Sequence, residues 1–81
     1  MKTQIERIIK DLAYDNFKTY ADMYPTFEGK ATEEATSNVK QLASNYYDNR
    51  TNEDIDRDEQ YNVAEEDYQK WCLEAFKNHI N

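Results

Sequence analysis

The side chains best able to do chemistry in this 81-residue chain are carboxylates, and they are gathered in one place. The stretch from Asp48 to Asp67, DNRTNEDIDRDEQYNVAEED, holds nine Asp and Glu against Arg50 and Arg57 alone. The rest of the chain carries as many bases as acids, so this stretch accounts for the whole formal charge of −7. Carboxylates at short intervals can hold a hard cation, work as an acid–base pair, or present a row of negative charge to a cationic partner.

The cation reading rests on spacing. Asp54, Asp56, Asp58, Gln60, Asn62 and Glu65 fall at positions one, three, five, seven, nine and twelve of an EF-hand calcium loop, where carboxylates and one carbonyl surround the ion. The pattern departs from that loop at Glu59, where the sharp turn needs glycine, and at Tyr61, where an aliphatic residue is usual. Glu53 also stands where an incoming helix would bury an apolar side chain. Calcium is therefore the alternative, and the main expectation is no metal and no cofactor.

The charge reading treats the segment as an imitation of a phosphate backbone. If Glu53 to Asp67 is helical, Asp54, Asp58 and Glu65 share one side, with Glu59 and Glu66 beside them. Residues four apart rise about 6 Å and those seven apart about 10.5 Å. Charges at such intervals can occupy a groove whose Lys and Arg expect a nucleic acid strand. Glu53, Asp54, Asp56, Asp58, Glu59, Tyr61, Glu65, Glu66 and Asp67 are the expected partner-binding residues, Tyr61 adding flat aromatic surface. Against this stands the plain reading of a solvated face that keeps a small protein in solution. Clustering like charges at helical spacing costs about 0.2–0.5 kcal/mol per pair, which scattered charges would avoid.

Other catalytic arrangements are absent from the string. Cys72 and the single His79 are seven residues apart, about 10.5 Å along a helix, too far for a nucleophile and its base. Cys72 beside Trp71 reads as core, and His79 as a favourable cation near a helix end. A single glycine, Gly29, leaves no glycine-rich phosphate loop. An enzyme is not expected.

Three helices would position the acidic segment. Thr3 with Glu6 makes a capping box, and Ile5, Ile8, Ile9, Leu12, Ala13, Phe17, Tyr20 and Tyr24 follow at helical spacing. The first helix is expected from about Gln4 to Met23, stopping before Pro25. PTFEGK is a loop, with Phe27 placed to plug one end of the core. Thr32 starts a second helix, with Ala35, Val39, Leu42 and Tyr46 as its apolar stripe, ending near Tyr47 or Asp48. Ala64, Tyr68, Trp71, Cys72, Ala75, Phe76 and Ile80 mark the third, with Asn62 and Glu65 as its capping box. The expected fold is all-α: one domain, residues 1–81, a small three-helix bundle whose acidic segment leads into the third helix.

A chain of this size builds a small core, worth about 3–5 kcal/mol of net stability without staples. One cysteine excludes an internal disulfide and suits a reduced setting. No apolar run approaches a membrane span, so the expectation is a cytoplasmic protein. Its pI near 4.5 opposes direct nucleic acid or anionic membrane binding and favours basic protein surfaces. In length, charge and lack of catalytic residues the chain resembles small acidic proteins of phages and mobile elements, including anti-CRISPR proteins and DNA-mimicking anti-restriction proteins. The resemblance rests on no shared motif and assigns no residue a role. It implies inhibition of a nuclease or other nucleic-acid-binding protein through that protein's basic groove. Tyr46 and Tyr47 point to different sides of one helix, so a Tyr-rich surface for a partner or for homodimerisation is a third reading.

Overall fold

A computed structural model describes residues 1–24 and 32–80. The expected PTFEGK loop and its Phe27 plug lie outside them. The described residues form four α-helices and no strand, so the all-α class holds while the three-helix expectation does not. The helices are α1 (Lys2–Thr19), α2 (Glu33–Asp48), α3 (Asn52–Gln60) and α4 (Glu65–Ile80). None is long and apolar enough to cross a membrane.

α1 buries Ile5, Ile9, Ala13 and Phe17, a strict four-residue repeat. Thr3 is not its cap. The helix starts earlier, with the Met1 carbonyl accepting from Gln4 and Ile5 N–H at 3.1 and 3.4 Å, so Thr3 already lies inside the first turn. Glu6 pairs instead with Lys10 at 3.0 Å. α1 also ends at Thr19, short of the expected Met23. The Met23 and Tyr24 N–H groups turn back to the Tyr20 carbonyl at 2.9 and 3.2 Å, and the turn buries Tyr24 against Phe17 with ring centroids 4.9 Å apart.

α2 begins as expected, the Thr32 hydroxyl accepting from Ala35 N–H at 3.1 Å, and ends at Asp48. α4 contributes Tyr68, Trp71, Cys72, Ala75, Phe76 and Ile80 to the core. It packs against both α1 and α2, whereas α1 and α2 stand apart from each other. The Lys10 ammonium ties α1 to α4 through Glu74 at 2.9 Å, and the Tyr46 hydroxyl ties α2 to α1 by donating to the Leu12 carbonyl at 3.2 Å. Tyr46 and Tyr47 do face different ways, and both are half-buried against the core.

The acidic segment is a helix of its own. Thr51 and Asp54 form a capping box: Asp54 N–H donates to the Thr51 hydroxyl at 3.1 Å, and Thr51 N–H to the Asp54 carboxylate at 3.4 Å. α3 ends in a Schellman turn, with Val63 N–H on the Asp58 carbonyl at 2.8 Å and Asn62 N–H on the Glu59 carbonyl at 3.3 Å. Asn62 takes the left-handed position, φ 55°, that glycine most often fills. It therefore ends α3 and does not cap α4. The N-terminus of α4 is served by Asp67, whose carboxylate accepts from Ala64 N–H at 3.0 Å.

Asn62→Gly is expected to hold or raise the urea midpoint, because glycine adopts this φ freely. Asn62→Val should lower stability by about 1–2 kcal/mol in the same measurement.

Candidate functional site

α3 has the composition of a helix that should not stay on a protein. None of its apolar side chains is fully buried, and its one buried residue is Asp58. A carboxylate in that position must find compensation or cost several kcal/mol. Asp58 finds it on both oxygens. Oδ1 accepts from Arg57 Nε and Nη2 at 3.1 and 3.0 Å, and Oδ2 from Arg50 Nη1 at 3.0 Å and the Tyr68 hydroxyl at 2.7 Å.

Each partner is itself held. Arg50 Nε donates to the Tyr47 carbonyl at 2.8 Å, and its guanidinium lies 3.6 Å over the Tyr47 ring, close enough for a cation–π contact. Tyr47 meets Tyr68 edge to face at 5.3 Å. Arg57 Nη1 reaches Asp54 at 3.3 Å. Burial is the largest influence on the Asp58 carboxyl and pushes its pKa up, but the hydrogen bonds from Tyr68, Arg50 and Arg57 together outweigh it and hold it below the ordinary value. Burial and the Asp58 carboxylate together push the Tyr68 phenol far up, so it stays a donor.

The nine expected site residues therefore divide. Asp58 is fully buried and cannot meet a partner. Asp54 is spent on the Thr51 cap and Arg57. Glu65 accepts from the Ser44 hydroxyl at 3.0 Å, and Asp67 caps α4 and pairs with Lys2 at 3.4 Å. Glu53, Asp56, Glu59 and Glu66 are exposed and have no ion-pair partner among the described residues; Tyr61 is exposed at the end of α3. The shared side expected for Asp54, Asp58 and Glu65 does not exist, because the turn at Tyr61–Ala64 breaks the helix between them. The face that does exist is the outward side of α3. Glu53, Asp56 and Glu59 follow at three-residue steps, each about 4.5 Å further along the axis and about 60° further round it, so Glu53 and Asp56 lie nearly opposite Asp58 and Glu59 to its side.

The calcium arrangement does not form. Asp54, Asp56, Asp58 and Gln60 are wound on a helix, which turns their side chains in different directions, while Asn62 and Glu65 lie beyond the break. No group of three His, Cys, Asp or Glu that could hold a metal exists among the described residues. Cys72 is sealed in the core, burial pushing its thiol up to about 12, so it carries no reactive thiolate at neutral pH. His79 sits half-buried among Phe17, Phe76 and Tyr14 near the end of α4.

The Arg50–Asp58–Arg57–Tyr68 network went unread in the sequence. Its partial signal was that Arg50 and Arg57 are the only bases in the acidic stretch; which carboxylate they hold is not marked locally, since Asp58 lies outside the interval between them. No protein-family model matches the chain, and no curated protein and no solved structure is similar to it.

Asp58→Asn should lower stability at pH 7 by about 3 kcal/mol, the low end for a broken buried pair, because both guanidiniums retain some access to water. A carboxyl held low in the folded state stabilises above its unfolded pKa of about 3.9 and loses that contribution as pH falls through the folded value. The stabilities of wild type and variant should therefore converge in denaturant titrations taken below about pH 4. Calcium at millimolar concentration should leave the wild-type melting midpoint unmoved, since only a ligand of the native state raises it.

Proposed function

We propose that this is a non-catalytic inhibitor that docks the outward face of α3 onto the basic, nucleic-acid-binding surface of another protein, in the manner of phage counter-defence proteins. The observation that supports it is the row Glu53, Asp56 and Glu59, exposed and without an internal ion-pair partner among the described residues. Its axial steps of about 4.5 Å are of the same order as the roughly 3.4 Å rise per charge of one DNA strand. Like charges three residues apart repel, and no base among the described residues pairs with them. A cationic cleft would. The buried Asp58 anchor gives the row a fixed orientation, so less freedom is lost on docking. Encounter through such a face is fast at low salt and slows as salt screens it.

The triple reversal Glu53→Lys, Asp56→Lys, Glu59→Lys leaves the Asp58 network untouched and tests the face directly. Tagged wild type should retain from a bacterial lysate, at low salt, a nucleic-acid-binding protein that it displaces from a labelled oligonucleotide. The triple variant, folded by circular dichroism, should retain and displace at least tenfold less. Equal capture and equal displacement by the variant would dispose of the reading.

A further inference from the structure

Because α1 and α2 both rest on α4 yet stand apart from each other, a trough runs between them. Two hollows open along it. One, of about 210 Å³, lies between Asn16, Tyr20 and Met23 at the end of α1 and Asn38, Gln41 and Asn45 of α2. The other, of about 300 Å³, lies between Ile8 and Leu12 of α1 and Tyr46 and Asn49 of α2, closed at one end by the two arginines that hold Asp58. The Tyr46–Leu12 hydrogen bond crosses between them.

The walls of the trough differ in chemistry. On the α1 side Ile8, Leu12, Tyr20 and Met23 are 47%, 46%, 53% and 51% exposed, four of the six large apolar side chains left exposed among the described residues. On the α2 side Asn38, Gln41, Asn45 and Asn49 form a ladder of carboxamides at steps of three, four and four residues. Its internal bonds are few: Asn38 Nδ2 on the Met23 carbonyl, Gln41 Nε2 on Asn45 Oδ1, and Asn49 Nδ2 on the Asn45 carbonyl. Asn38 Oδ1, Gln41 Oε1, Asn45 Nδ2 and Asn49 Oδ1 have no protein partner among the described residues. Exposed acids flank the trough by helical position: Asp15 stands three residues beyond Leu12, Glu34 four before Asn38 and Asp48 three beyond Asn45, none with an ion pair among the described residues.

These features select the occupant. A helix satisfies its own backbone and would leave the carboxamides unused. An extended chain offers free N–H and C=O groups that repeat every 6.6–6.8 Å or so, to be compared with ladder steps of about 4.5, 6 and 6 Å, the last two near that repeat. Alternate side chains can then enter the apolar hollows while the others reach the lips. A second copy of this chain, carrying its own −7, would bring carboxylate to carboxylate. From Ile8 to Tyr20 the trough runs about 18 Å, room for about five extended residues.

We propose that the trough between α1 and α2 binds an extended segment of a partner protein in which Lys or Arg alternates with apolar residues, its backbone read by Asn38, Gln41, Asn45 and Asn49. This site stands apart from the α3 face and does not depend on it.

The probe is the capped heptapeptide Lys-Leu-Lys-Leu-Lys-Leu-Lys, titrated into the ¹⁵N-labelled protein. The side-chain NH₂ signals of Asn38, Gln41 and Asn45 should shift. Gln41→Ala with Asn45→Ala should weaken binding about tenfold, as should N-methylation of the peptide at alternate residues. Glu53→Gln with Asp56→Asn and Glu59→Gln should change affinity less than twofold at about 0.15 M salt, which separates this site from the α3 reading. No shift at millimolar peptide, equal binding of the N-methylated peptide or of one with Glu for Lys, shifts confined to α3, or a peptide-free dimer covering the same residues would each overturn the proposal.

Discussion

One buried carboxylate decides where nine residues of this protein go. α3 has no fully buried apolar side chain with which to earn its place, so its attachment rests on Asp58 reaching Arg50, Arg57 and Tyr68. Taking that charge out of water is costly, and the four donors around it return the cost by direction as much as by attraction. Apolar contact would let a short polar helix slide or roll. Hydrogen bonds aimed at two oxygens do not. The Arg50 guanidinium stacked on Tyr47 extends the constraint back to the end of α2, and Tyr68 extends it into α4.

The surface follows from that anchor. Turning Asp58 inward sends Glu53 and Asp56 to the far side of the helix, about 140° and 160° round from it, and leaves Glu59 about 100° away, still exposed. The two arginines that neutralise Asp58 also close one end of the trough between α1 and α2. That trough exists because α4 is the central helix: a core shared through one helix leaves its two neighbours apart. A negative ridge and an open trough thus come from separate features of the same small core.

Much of this architecture was legible in the string, where it rests on neighbours in sequence. The apolar stripes of α1, α2 and α4 follow from periodicity, a local property of each helix, except that Ile8, Leu12 and Tyr20 of the α1 stripe and Ala64 of the α4 stripe are exposed. The Thr32 cap was local as well. The isolation of Cys72 from His79 followed from helical rise alone. The boundaries that failed have local and distant causes: α1 starts at the Met1 carbonyl, ahead of Thr3, it stops where Tyr24 folds back on Phe17, and Asn62 serves the end of α3 and not the start of α4.

The carboxylates mark the division most clearly. The sequence by itself determined that negative charge would dominate one segment, that the chain would be helical, and most of the apolar residues that would meet. Only the tertiary structure decided which of nine acids would be spent inside: Asp58 on the arginines, Asp54 and Asp67 on helix starts, Glu65 on Ser44. Charge is a property of composition, whereas its availability depends on distance. The donors that claim Asp58 lie one, eight and ten residues away along the chain, and only folding brings all of them within 3.1 Å.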